Sequence, residues 1–299
     1  MTSTDGHVAS ANSSIRIKRA AFDPASERVY FTQSNHAGIF FAQLSEIRNS
    51  VVHQPTTFVF RTKHRRDRFG AIAVDSKQNL LICCNSQKQA PSITFWSISK
   101  NISDQPPIPI AEIPCSGLPL PTGPAQRELL SIRPHKCAAF SKADSTGQST
   151  FVALADKSKS VVYVFKAVSS RHYASTVKLD FVTIIASRAR GDDIRRPRAV
   201  HFDPAGNLIV ADDGPLHSRL KFYSLSDNGG FEPDDDQLMT ASVYRAVFAP
   251  MKCIAASLDP STRRPFIICG VSGFLRFPGM RRLGTSGELA CFCFEELLI

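Results

Sequence analysis

Seven cations recur just ahead of short apolar runs: Arg16, Lys18, Arg68, Lys136, Arg196, Arg198 and Lys252. Each stands five or seven residues before the residue that closes its run with a turn, which is Asp23, Asp75, Ser141, Asp203 or Asp259. Guanidinium and ammonium groups repeated at one structural position suit a phosphate-bearing or acidic partner, protein or RNA, held by charge-assisted hydrogen bonds. Affinity of that kind falls steeply as salt rises. The formal net charge of +10 points the same way, although basic chains also collect Arg in solvated loops. Aromatic interleaving, which RNA recognition uses for stacking, is poor, with Phe69 and Tyr244 as the candidates.

Other chemistry is thinner. His201 stands on the same run as Arg198, where the sister positions are Ala21, Ala73, Ala139 and Ser257, so it is a candidate base or a hydrogen-bonded core histidine. There is no Gly-x-Ser-x-Gly elbow and no Gly-rich phosphate loop ahead of a helix, so no catalytic residues are assigned. The acidic Asp234-Asp235-Asp236 run lacks the Gly and terminal Glu of a calcium loop. Eight cysteines lie mostly in apolar runs, and neither Cys83-Cys84 nor Cys291-Phe292-Cys293 has zinc spacing. They read as reduced and buried, which places the chain in the cytoplasm or nucleus. No run approaches the 18 apolar residues of a membrane span, and Met1 to Ser14 lacks the apolar centre of a secretory signal and reads as a flexible N-terminal segment.

The elements that position the cations are short strands. Ala199 to Phe202, the turn Asp203-Pro204-Ala205-Gly206-Asn207, and Leu208 to Ala211 form a hairpin, and Leu220, Phe222 and Leu225 mark a third strand. The turn residues recur 52, 66, 62 and 56 residues apart, and each unit has room for four strands. A fourth strand is expected near Leu238 to Tyr244 in the fourth unit. In the fifth, Phe274 to Phe277 and Leu289 to Phe294 are expected to be the third and fourth. The pattern predicts an all-β chain, a β-propeller of five to six four-stranded blades over residues 15–299, with Pro114 to Pro124 as a linker.

Ala199-Val-His-Phe-Asp-Pro-Ala-Gly-Asn-Leu-Ile-Val-Ala-Asp212, followed by Arg219-Leu-Lys-Phe222, resembles an NHL repeat. The first copy is also similar to blades of the SMP-30/gluconolactonase-like and strictosidine-synthase-like propellers. The NHL resemblance implies protein or RNA binding, and the chain reads as a non-catalytic scaffold, monomeric and without cofactor. No RING, B-box or coiled-coil segment accompanies the repeats, so ligase activity is not implied. The lactonase resemblance implies the alternative, a metal-dependent hydrolase holding a divalent cation at the channel mouth on Asn85, Asp156, Asp212 and Asp213. Glu27 lies in a turn and does not match the early metal-ligand Glu of that family.

Overall fold

The computed structural model describes residues 17–33, 38–45, 57–61, 69–85, 90–98, 107–120, 132–144, 147–169, 177–186, 194–213, 218–225, 231–233, 251–258, 265–271 and 288–293. They form five antiparallel sheets, each a consecutive stretch of chain. The first runs β1 (Ile17–Asp23), β2 (Arg28–Gln33), β3 (Gly38–Gln43) and β4 (Thr57–Arg61). The second holds β5 (Phe69–Asp75), β6 (Leu80–Asn85), β7 (Ser92–Ser97) and β8 (Ile108–Pro114). The third holds β9 (Lys136–Asp144), β10 (Gly147–Asp156), β11 (Val161–Ser169) and β12 (Val177–Ala186). The fourth holds β13 (Pro197–Phe202), β14 (Leu208–Asp213), β15 (Ser218–Leu225) and β16 (Phe231–Pro233), and the fifth β17 (Met251–Leu258), β18 (Pro265–Val271) and β19 (Glu288–Cys293).

Side chains alternate across a strand, so a sheet covered on both faces reads as an unbroken apolar run. On β6, Leu81 and Cys83 pack with Tyr30, Ile39 and Phe41 of the first sheet, while Ile82 and Cys84 pack with Val152, Leu154 and Tyr163 of the third. Ala153, Val162 and Val164 of the third sheet meet Val200, Leu208 and Val210 of the fourth in the same way. The sheets therefore stack face to face, joined by their first strands: β1 packs on β5, β5 on β9, β9 on β13 and β13 on β17. Among the described residues β1 and β17 have no comparable packing.

Side chains that cross between sheets join equivalent levels of the repeat. At one end, the Ser141 and Thr150 hydroxyls donate to Asp75 Oδ2, each at 2.6 Å. At the other, His135 Nε2 lies 2.7 Å from the Pro197 carbonyl, and Arg19 Nε donates to the Gly70 carbonyl at 3.1 Å. The first strands thus all begin at one mouth. Serine replaces the turn Asp at 141 for a reason: a carboxylate there would face the buried one of Asp75 with no proton to share.

The turns are set by the same acids. Asp75 Oδ1 accepts the backbone N–H of Lys77 and Gln78, and Asn79 closes that turn with φ of 54°. In the fourth sheet Asp203 Oδ1 takes the Asn207 N–H at 2.8 Å, and Gly206 sits at φ 95°. Gly206 is required twice over, because a Cβ there would lie 2.6 Å from the Phe140 ring.

Three sequence expectations change. The fourth strand of the fourth sheet is β16, inside what reads as an acidic loop, because Phe231 opens a short pairing with Leu225; Leu238 to Tyr244 lies outside the described residues. In the fifth sheet β19 pairs directly with β18, so it is the third strand, and Phe274 to Phe277 lies outside the described residues. Phe69 is buried against the first sheet and offers no stacking platform; Tyr244 lies outside the described residues. The edge strand β8 carries Ile108 exposed, and Pro109 and Pro114 are tolerated where ladder bonds are not needed.

Asp75→Ala orphans two backbone N–H groups and two hydroxyls between sheets, so urea unfolding should show a loss of about 3 kcal/mol or more. Thr150→Val, which removes one hydroxyl donor, should lose about 1 kcal/mol in the same measurement.

Candidate anion-binding mouth

The mouth is built where each first strand begins. In four of the five sheets that strand carries a β-bulge at this place, between Ile17 and Arg19, Phe69 and Ala71, Pro197 and Ala199, and Met251 and Cys253. The extra residues are Lys18, Gly70, Arg198 and Lys252, so three of four bulges carry a cation. A bulge leaves its residue out of the ladder and re-aims it. The third sheet has no bulge there and places Lys136 opposite Ala155 in regular pairing. Counting five residues back from the turn reaches Ile254 in the fifth sheet, whereas its bulge falls at Lys252.

Of the other cations expected at the mouth, Arg196 is exposed and Lys136 and Arg198 are half-buried. Lys18 and Lys252 have described backbones only, and Arg16 and Arg68 lie outside the described residues. The structure adds Arg133, Lys157 and Lys159, and assigns an exposed place to Arg195. Spacing alone does not find the two lysines, because they follow β10 rather than precede β9, and only the hairpin geometry returns them to the same end.

The acids at this end are occupied. Asp156 is fully buried; its Oδ2 accepts the Arg133 N–H at 2.8 Å, and its Oδ1 accepts the Ser158 N–H, the Ser158 hydroxyl and the Lys159 N–H. Asp212, also buried, accepts the N–H groups of Arg195 and Arg196 on Oδ1 at 2.9 and 2.7 Å. Both carboxylates pin the chain leading into the first strand of their own sheet, and neither stands open toward a cation. Asn85 faces Phe69 across the β5–β6 ladder, and the Asp213 side chain lies outside the described residues. No group of three His, Cys, Asp or Glu able to hold a metal gathers among the described residues. Asp156 and Asp212, so occupied, do not fit the hard-oxygen metal site that the lactonase resemblance implies.

His135 locks the third sheet to the fourth. Its Nδ1 accepts the Lys157 N–H at 3.0 Å while Nε2 meets the Pro197 carbonyl, an arrangement that needs the neutral ring with its proton on Nε2. Burial pushes its pKa down to about 4, with Lys136 and Arg19 adding to the fall and the Pro197 carbonyl opposing it. His201 is half-buried on β13, opposite Ile209 in the ladder. Cys83, Cys84, Cys115 and Cys137 are free and buried. Burial, then the Asp156 charge, raises Cys115 to about 12; the hydrogen bond with Cys137, then burial, raises Cys84 well above its ordinary value. Such thiols are inert at neutral pH.

Comparison with solved structures finds the same architecture at low identity. The periplasmic gluconolactonase PpgL of Pseudomonas aeruginosa superposes with a TM-score of 0.51 at 11% identity, over 92% of this chain and 72% of that one. The chain is a β-propeller. The Kuenenia stuttgartiensis hydrazine synthase gives a TM-score of 0.48 at 12% identity, over 98% of this chain and 70% of that one. Chaetomium thermophilum Sqt1, solved bound to the N-terminus of ribosomal protein L10, gives 0.46 at 12%, over 93% and 66%. No family model matches the chain, and no curated protein matches its sequence. Likeness at these identities carries the propeller fold and no activity.

The blades of this propeller are pH-coupled through His135. Its folded pKa lies below the ordinary 6.5, so between pH 6.5 and 4 the unfolded chain binds more protons and stability falls as pH falls. Urea titrations should lose about 2 kcal/mol between pH 7 and pH 5 through this group, a loss that His135→Gln removes.

Proposed function

We propose that this propeller is a non-catalytic binding scaffold whose basic mouth engages an acidic or phosphate-bearing partner. The observation that carries the reading is the recurrence of cations at one level of the ring: Lys18, Arg198 and Lys252 on bulges, with Lys136 at the same place in the third blade. Solvated loop charges have no reason to fall on the bulge of an inner strand, where Lys18, Arg198 and Lys252 stand. Asp156 and Asp212, the buried acids at that rim, give their oxygens to the backbone N–H groups of the segments that carry the cations, and the cations there outnumber them. The NHL-like hairpin of the fourth blade fits a scaffold, and the four buried free thiols fit a reducing compartment, cytoplasm or nucleus.

The reading predicts binding of a fluorescein-labelled ten-residue glutamate peptide with strong salt dependence. In Arg196→Ala/Arg198→Ala the dissociation constant should rise about tenfold or more, and the dependence of log Kd on log salt should become shallower, as anisotropy titrations from 50 to 300 mM salt would register. Unchanged affinity and slope in the double variant contradict a basic mouth.

A further inference from the structure

The cations are not spread evenly round the rim. Arg133, Lys136, Lys157, Lys159, Arg195 and Arg196 all attach to three backbone segments that meet where the third blade adjoins the fourth. These segments are tied to one another. The β10–β11 turn gives its Lys157 N–H to His135, its Ser158 and Lys159 N–H groups to Asp156, and its Ser160 hydroxyl to the Arg195 carbonyl of the next blade. Ser160 adopts φ of 58° to make that reach. The turn is therefore held from both sides before any ligand arrives.

Within it, Lys159 has an enclosed Nζ with no hydrogen-bond partner among the described residues. The nearest acid along the chain cannot serve it. A carboxylate has about four acceptor positions, and Asp156 fills four with the Arg133, Ser158 and Lys159 N–H groups and the Ser158 hydroxyl. An enclosed ammonium with three unmet donors is costly to fold and calls for an anion that the described residues do not supply.

Resting on the basic-mouth reading above, we infer that the junction of the third and fourth blades is a pocket for a single phosphoryl group carried by a phosphoserine or phosphothreonine side chain of a partner protein. Lys159 is its enclosed contact, and the exposed Arg195 and Arg196 stand at its rim. A phosphate monoester brings close to two negative charges and three acceptor oxygens on a short stalk, which matches one enclosed ammonium on a turn bonded to the segment that carries Arg195 and Arg196. A nucleic-acid strand fits less well. It spreads one charge per phosphodiester along a groove and is gripped by exposed rings. Here Phe69 is buried, and Phe22, an exposed aromatic at 46%, lies at the turn end of β1, away from the mouth.

The test uses the full chain and three labelled probes: an eleven-residue random-sequence peptide library with a fixed central phosphoserine, the same library with glutamate there, and a single-stranded twelve-nucleotide RNA. The phosphoserine library should bind about tenfold or more tightly than the glutamate library. Lys159→Met, which keeps the side-chain volume, should abolish that preference, while its melting temperature in phosphate-free buffer stays level or rises as the enclosed charge is removed. Arg195→Ala should weaken phosphopeptide binding severalfold. Equal binding of the two libraries, with Lys159→Met neutral but Arg196→Ala/Arg198→Ala still weakening both, overturns the phosphoryl pocket and leaves the basic mouth standing. RNA bound more tightly than either library overturns the choice of partner. Binding of none of the three sinks pocket and mouth together.

Discussion

The carboxylate of Asp156 is the interaction on which the mouth depends. It is buried, yet its charge is met by backbone N–H groups rather than by a lysine or arginine, and those bonds hold both the lead-in to β9 and the β10–β11 turn. Asp212 repeats the device one blade on, holding Arg195 and Arg196 by their backbones. An acid used in this way fixes the backbone that carries its basic neighbours, and so fixes where those cations stand.

At the opposite end Asp75 has the complementary task. Its two oxygens divide between its own turn and the hydroxyls of Ser141 and Thr150 on the next blade. Local turn chemistry and inter-blade register are therefore fixed by one group, and the same is true of His135 at the mouth. Stacking of apolar faces supplies the bulk of the stability, as in any packed core, but it slides easily along a strand. Polar contacts at matched levels are what keep the blades aligned, and alignment is what brings Lys18, Lys136, Arg198 and Lys252 to one height.

Much of this was legible in the sequence because propeller hairpins are local. The recurrence of Asp23, Asp75 and Asp203 with an apolar residue just before each reveals the unit, and Ser141 as a stand-in is understood once its hydroxyl is seen on Asp75. Outer strands were harder: β16 is three residues long with a proline, too short for the alternation that marks a strand, whereas β19 was legible as a strand and only its order in the sheet was not. The Asn85, Asp156, Asp212 and Asp213 set looked like a metal shell because spacing reports where a carboxylate is, not what its oxygens already hold. Lys159 escaped notice for the converse reason. Its importance lies in a partner that is missing, which only packing discloses.

The account turns on whether an oxyanion occupies the junction of the third and fourth blades. A crystal structure of the full chain grown with millimolar tungstate, a phosphate mimic located by its anomalous scattering, tests this most directly. The account predicts a tungstate within hydrogen-bonding distance of Lys159 Nζ, with Arg195 or Arg196 turned toward it. A structure in which Lys159 Nζ is paired with a carboxylate of this chain, with no tungstate at the junction, would contradict it.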